Sequence, residues 1–174
     1  MKNLMIAGTL ALSSSYGLAK DLNIATNPLG LTSNALTGSI DKSLTPYHSL
    51  GLEAGYLLNT PTAALTGYEV SGFELGIRTT LHQNHFDGTG FYAYLGASYG
   101  QLKIKNKVDD LISLSTISPK LTGGYQWAWD NGFNMKLGAG LKYIIFGGTK
   151  IFNDSEPLNS TTSLNLEFQV GYLI

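Results

Sequence analysis

No cysteine occurs in the chain, so no disulfide staples the fold and no thiol chemistry is available. Charge is also scarce. Asp, Glu, Lys and Arg make up 13% of the residues, against a usual share of about 25%. The formal net charge is −1 and no basic patch stands out, which argues against nucleic acid as a partner. After residue 19 there is no long apolar run, and Tyr143 to Phe146 is typical of the longest. A spanning helix needs roughly 20 apolar residues. Any insertion into a bilayer must therefore use a closed barrel, the other structure that satisfies every backbone group in lipid.

What is abundant points the same way. The chain holds 21 glycines and 10 tyrosines. Low charge, much glycine and many aromatics fit a barrel with lipid outside and close strand packing. The first nineteen residues have another purpose. Met1-Lys2-Asn3 is a short positive segment, Leu4 to Leu12 is apolar, and Gly17-Leu18-Ala19 places small residues where a signal peptidase cuts. The apolar stretch is too short to span a bilayer as a helix. Residues 1–19 are expected to be a cleaved signal peptide, with residues 20–174 forming one outer-membrane barrel domain.

The clearest strand runs from Phe133 to Ile145. Phe133, Met135, Leu137, Ala139, Leu141, Tyr143 and Ile145 alternate with Asn134, Lys136, Gly138, Gly140 and Lys142. A period of two marks a β-strand with unlike faces. The last strand repeats it: Leu164, Leu166, Phe168, Val170, Tyr172 and Ile174 alternate with Asn165, Glu167, Gln169 and Gly171. Turn signals divide the rest into strands over 22–31, 35–43, 48–58, 69–82, 91–102 and 113–129. The first two also read as one bent strand with an N-terminal extension. Eight strands put both termini on one side. The short turns at Thr45-Pro46, 84–90 and Asp130-Asn131-Gly132 share that periplasmic side. The connection near 32–34 and the loops at 60–67, 103–112 and 147–161 share the outer side. The expected fold is all-β, an eight-stranded antiparallel up-and-down transmembrane barrel with short periplasmic turns.

The minority face decides which side is wet. It carries Glu53, Glu74 and Glu167 against Arg78, Lys120, Lys136 and Lys142, with Gln126, Gln169 and many glycines. On a soluble lipocalin-like barrel this face would be plain solvated surface, and the apolar face would line a ligand cavity. A solvated surface has no need of so much glycine, which weakens strands unless space is short. A narrow lumen packed with paired charges explains both features. Phe91, Tyr92, Tyr125, Trp127, Trp129 and Phe133 bunch at strand ends beside two turns, as aromatics do at bilayer interfaces.

With these residues in view, the chain resembles the small OmpA-type and OmpX-type outer-membrane barrels of Gram-negative bacteria. Asn27-Pro28-Leu29-Gly30-Leu31 followed by Ser49-Leu50-Gly51-Leu52 also resembles the start of an uncharacterised family of small outer-membrane barrels. The resemblance implies outer-membrane lipids and lipopolysaccharide as surroundings. It also implies recognition of the last strand by the barrel-assembly machinery, although that strand ends in Ile174 rather than the usual aromatic residue.

Catalytic, cofactor and metal sites are not expected. Barrel enzymes that modify lipids use serine and histidine near a membrane face, whereas His48, His82 and His85 all fall beside periplasmic turns. His82 and His85 are better read as turn residues than as a metal pair, and the acids at Asp109-Asp110 and 154–156 as solvated loop charge. The lumen charges line either a narrow passive pore or a plug. Eight strands enclose just enough room for side chains, and unpaired buried charge is costly, so the plug is preferred. The expected role is structural or surface-interacting, with loops 103–112 and 147–161 meeting an external ligand.

Overall fold

The structure, a computed structural model, describes residues 20–29, 35–61, 68–106, 111–147 and 160–174. The expected signal peptide lies outside the described residues. Eight strands close into an antiparallel barrel in sequence order: β1 (Leu22–Thr26), β2 (Ala35–Thr45), β3 (His48–Pro61), β4 (Tyr68–His82), β5 (Gly90–Asn106), β6 (Leu111–Ala128), β7 (Phe133–Gly147) and β8 (Thr161–Leu173). The first two strands are separate. β1 pairs with β2 on one side and with β8 on the other, which closes the sheet. Beyond β8, the Ile174 amide donates to the Leu22 carbonyl at 2.8 Å, and the Ile174 carbonyl accepts from the amides of Asp21 and Leu22.

The tight connections lie where turn chemistry requires them. Pro46 and Tyr47 turn β2 into β3. Gly132 follows β6 with φ +93°, a left-handed conformation that glycine adopts without a steric penalty. The Gly132 amide donates to the Trp129 carbonyl, and the Gly132 carbonyl accepts from the Leu173 amide.

The main differences from the sequence reading concern strand length, and β3 too runs on past the expected 48–58 to Pro61, into the expected 60–67 loop. β1 spans five residues rather than the ten of 22–31, because pairing ends at Thr26 and a 3₁₀ turn begins at Pro28. In contrast, β5 and β6 overrun the expected loop at 103–112. Lys103 pairs with Ser113, Ile104 with Ile112 and Lys105 with Leu111. Only residues 107–110 of that segment lie outside the described residues. Residues 148–159, most of the expected 147–161 loop, also lie outside them.

The overrun has a physical cause. Along most of β5 the outward residues are Phe91, Ala93, Leu95, Ala97 and Tyr99, while Tyr92, Tyr94 and Ser98 point in. Past Tyr99 the alternation continues with its sense reversed. Gln101, Lys103 and Lys105 face out, whereas Leu102 and Ile104 face in. β4 and β6 reverse at the same level, with Glu69 and Ser113 exposed and Val70 and Leu114 buried. Val70, Ile104 and Leu114 pack together with Leu57 and Leu102 as a small apolar cluster inside the barrel's loop end. A polarity reversal without a break in pairing looks like a charged loop in sequence and is a strand in space.

Candidate functional site in the barrel lumen

The barrel interior below the apolar cluster is polar and charged. All seven residues of the expected network, Glu53, Glu74, Arg78, Lys120, Lys136, Lys142 and Glu167, point into it, and each is paired. Even positions on β4 to β7 and odd positions on β2, β3 and β8 face inward, and hydrogen-bonded register then sets which of them share a level.

Nearest the turns lies the tightest group. Arg78 on β4 is only 2% exposed and Asp41 on β2 is fully buried. The guanidinium donates through Nε to Asp41 Oδ1 at 2.9 Å and through Nη2 to Asp41 Oδ2 at 2.6 Å. The same Nη2 reaches Ser39 Oγ and Gln169 Oε1, and Nη1 reaches Glu167 Oε1 at 3.2 Å. Lys136 Nζ stands 3.5 Å from Asp41 Oδ2. The other Glu167 oxygen accepts from the Tyr92 hydroxyl at 2.9 Å. Tyr92 and Tyr94 are stacked, with Lys136 over the first ring and Arg78 and Lys120 over the second. Each charge therefore has an opposite charge, a hydrogen bond or a ring face beside it, the condition under which burial is tolerated.

Two further pairs climb toward the loop end. Lys120 meets Glu53, and Lys142 Nζ donates to both oxygens of Glu74 at 2.7 and 2.8 Å. Exposure grows in the same direction: the Lys142 and Glu74 side chains are 20% and 36% accessible. Glycine makes room for these carboxylates. A Cβ at Gly51 would run into the Asp41 carboxylate, and one at Gly76 into that of Glu53.

The turn end is closed from below. Residues 83–89 fold back so that Phe86 is buried, its amide donating to the Pro46 carbonyl at 2.6 Å. Gln126 holds this turn from inside, donating to the carbonyls of Phe86 and Gly88 at 2.9 and 3.0 Å.

Asp41 is the residue that the sequence reading left out of the network. Three acids were set against four bases, and Asp41 supplies the fourth acid. It shares the face of Thr37 and Ser39, and the imbalance itself was the available signal. One assignment is corrected. Tyr92 is not an interface aromatic: its side chain is 4% exposed inside the lumen, whereas Phe91 beside it is 62% exposed outside. Neighbouring residues on a strand face opposite ways, and the Glu167 carboxylate takes the Tyr92 hydroxyl. Phe91, Tyr125 and Trp127 form one chain of edge contacts on the outer wall, and Trp129 packs against Phe133 at 5.2 Å.

The histidines lie at the turn end. His85 meets the Tyr47 ring and His82 the Phe86 ring, so their rings do not converge. His82 Nε2 lies 3.2 Å from Ser49 Oγ. Ser49 is fully buried, and among the described residues no carboxylate hydrogen-bonds His82 to orient it. Ser49 and His82 therefore face the closed turn end of the lumen.

The outer wall is the reverse of the lumen. Leu52, Leu75, Leu81, Leu121, Leu164 and Leu166 are each more than half exposed. This is opposite to a lipocalin-like barrel, whose apolar residues line the inside. Comparison with known protein families, with curated proteins and with solved structures finds no match to this chain.

Proposed function

We propose that this chain is an integral outer-membrane barrel of the small OmpA and OmpX kind, with a plugged lumen and a structural or surface-interaction role. The reversal of polarity along β4 to β6 is the observation that carries the reading. Below Phe73 and Tyr99 the wall is apolar outside and charged inside, and above them it is polar outside and apolar inside. One solvent cannot favour both arrangements. Lipid around the lower wall and water around the upper wall favour each in its place.

Outward aromatics mark both edges of the apolar wall. Tyr47, Phe91, Trp127, Trp129 and Tyr172 lie at the turn end, and Tyr56, Phe73, Tyr99 and Tyr143 lie near the reversal. Tyr99 stands eight residues above Phe91. At about 3.4 Å per residue and a tilt of roughly 40°, that is about 20 Å of height, close to the band of about 25 Å that such barrels present to lipid.

Paired charges, stacked tyrosines and the Phe86 turn occupy the lower part of the lumen, which supports a plug over a pore and a non-enzymatic role over catalysis. Outer-membrane lipids and lipopolysaccharide are then the wall's partners, and β8 is the segment presented to the assembly machinery. The connections above β5–β6 and β7–β8 are left for external contacts. The test is gel mobility of membrane-extracted protein, boiled against unboiled, with fractionation of the envelope. A heat-dependent shift in outer-membrane protein is expected. A soluble periplasmic protein without a shift would overturn the reading.

A further inference from the structure

Among the described residues, one cation stands without a partner. Lys42, Arg78, Lys120, Lys136 and Lys142 each sit in an ion pair. Lys20 donates to the Asp130 carbonyl, and Lys105 is engaged as well. The ammonium of Lys103 on β5 has neither an ion pair nor a hydrogen bond among the described residues, and the side chain is exposed on the outer face.

Register sets what surrounds it. Ser71 on β4 and Ser113 on β6 lie directly across from Lys103 on either side, and all three side chains share the outer face. Neighbouring strands sit about 4.8 Å apart, so a small hydroxyl side chain flanks the lysine on each hand and leaves it uncovered. Glu69, the acid of this face, stands one row higher, opposite Lys105. The row below holds Phe73, Gln101 and Ser115, and its polar groups are already engaged: Gln101 donates to the Tyr99 hydroxyl at 3.1 Å and Ser115 to the Gly147 carbonyl at 2.8 Å. Beneath that row, Leu75, Tyr99 and Ile117 begin the apolar wall.

We propose that the row Ser71, Lys103 and Ser113 docks one phosphate of an outer-leaflet glycolipid, the lysine supplying charge and the serines hydroxyl donors. The inference rests on the membrane reading above, on which the loop end faces outward into a leaflet of phosphorylated glycolipid. Lys103 lies four residues beyond Tyr99, about 10 Å of height at about 3.4 Å per residue and a tilt of roughly 40°. Headgroups occupy about 5–8 Å beyond the hydrocarbon edge, and a lysine stem bends back toward that edge, so the ammonium stands in the headgroup layer. An ammonium and two hydroxyls suit the acceptor oxygens of a phosphate. Continuity of the face favours a lipid over a free anion. The acyl chains of the same molecule lie against Leu75, Tyr99 and Ile117, which holds its phosphate near Lys103 at high effective concentration.

The test titrates the detergent-solubilised barrel with diphosphoryl lipid A, with lipid A stripped of phosphate and with phosphatidylglycerol, read by native mass spectrometry. Diphosphoryl lipid A is expected to bind at least about tenfold more tightly than either other probe. Lys103→Gln is expected to lower that affinity about fivefold, the worth of one lysine at an anionic membrane surface, while keeping the heat-dependent gel shift. Lys42→Gln removes a cation from the turn end and should leave the affinity unchanged. A heat-shifting Lys103→Gln barrel with undiminished affinity, or an equal loss in both variants, overturns the site alone. Equal binding of the phosphate-free form overturns phosphate as the recognised group, and equal binding of phosphatidylglycerol overturns the glycolipid as its source. A chain that never shows the shift overturns the membrane reading and the site together.

Discussion

The lower barrel and its loop-end extension are the same sheet with opposite insides. Around Arg78 the interior is ionic and the wall outside is leucine and isoleucine. Around Leu114 the interior is apolar, and Lys103, Lys105 and Ser113 cover the outside. Hydrogen bonding is continuous from one region to the other, so the backbone does not distinguish them. The strand ladder fixes the architecture of both, and on the membrane reading proposed above the surrounding medium fixes which face is apolar. In lipid the interior is the only refuge for charge, and in water it is the only refuge for leucine.

Replacing Arg78 with Met would break the lower region most severely. It strands the fully buried Asp41 and half of the Glu167 interactions, with Lys136 the remaining cation near Asp41 among the described residues. Breaking a buried pair from one side costs about 3–5 kcal/mol. The expected outcome is a large fall in the denaturant midpoint of the refolded barrel, partly recovered by adding Asp41→Leu.

A charge on the outer wall tests the boundary itself. Leu95 sits midway between Phe91 and Tyr99 and is 60% exposed. Leu95→Arg is expected to cost about 2–4 kcal/mol in a bilayer. Gln101→Arg, six residues further along β5 on the same outward face, should cost close to nothing. Equilibrium unfolding in vesicles reads the contrast, and equal costs at the two sites would remove the boundary.

The upper region should yield locally. Leu114→Ala opens a hole in the apolar cluster, and about 2 kcal/mol is expected because the cluster is small. Amide exchange should quicken at Ile104 and Val70 while the Arg78 level keeps its protection.

The smallest effect is expected at the loop end of the lumen. The Lys142–Glu74 pair is partly solvated, so Lys142→Gln should change stability by about 1 kcal/mol or less. A change as large as that of Arg78→Met would mean that the lumen is sealed at both ends.

Much of this was legible in the chain. Alternation is a local property, so strands such as Phe133–Gly147 and turns such as Asp130-Asn131-Gly132 could be read directly. The face carrying Glu53, Arg78 and Lys120 was legible for the same reason. β5 outruns its expected end because Lys103 and Lys105 look like a loop when one phase is assumed throughout. Tyr92 faces inward because its position on the strand, rather than its closeness to a turn, sets its side. β1 is shorter than its apolar start suggests because local pattern does not say where neighbours stop pairing.

The sequence by itself determined that the chain makes two-faced strands joined by short turns on one side, since a period of two and the chemistry of Pro46 and Gly132 act within a few residues; that the first two are separate strands came from their pairing in space. Only the tertiary structure decided who meets whom inside. Arg78 joins Asp41 and Glu167, and Lys120 joins Glu53, across separations of 37, 89 and 67 residues. Closure and register bring those levels together, and neither is written in the spacing of any one strand.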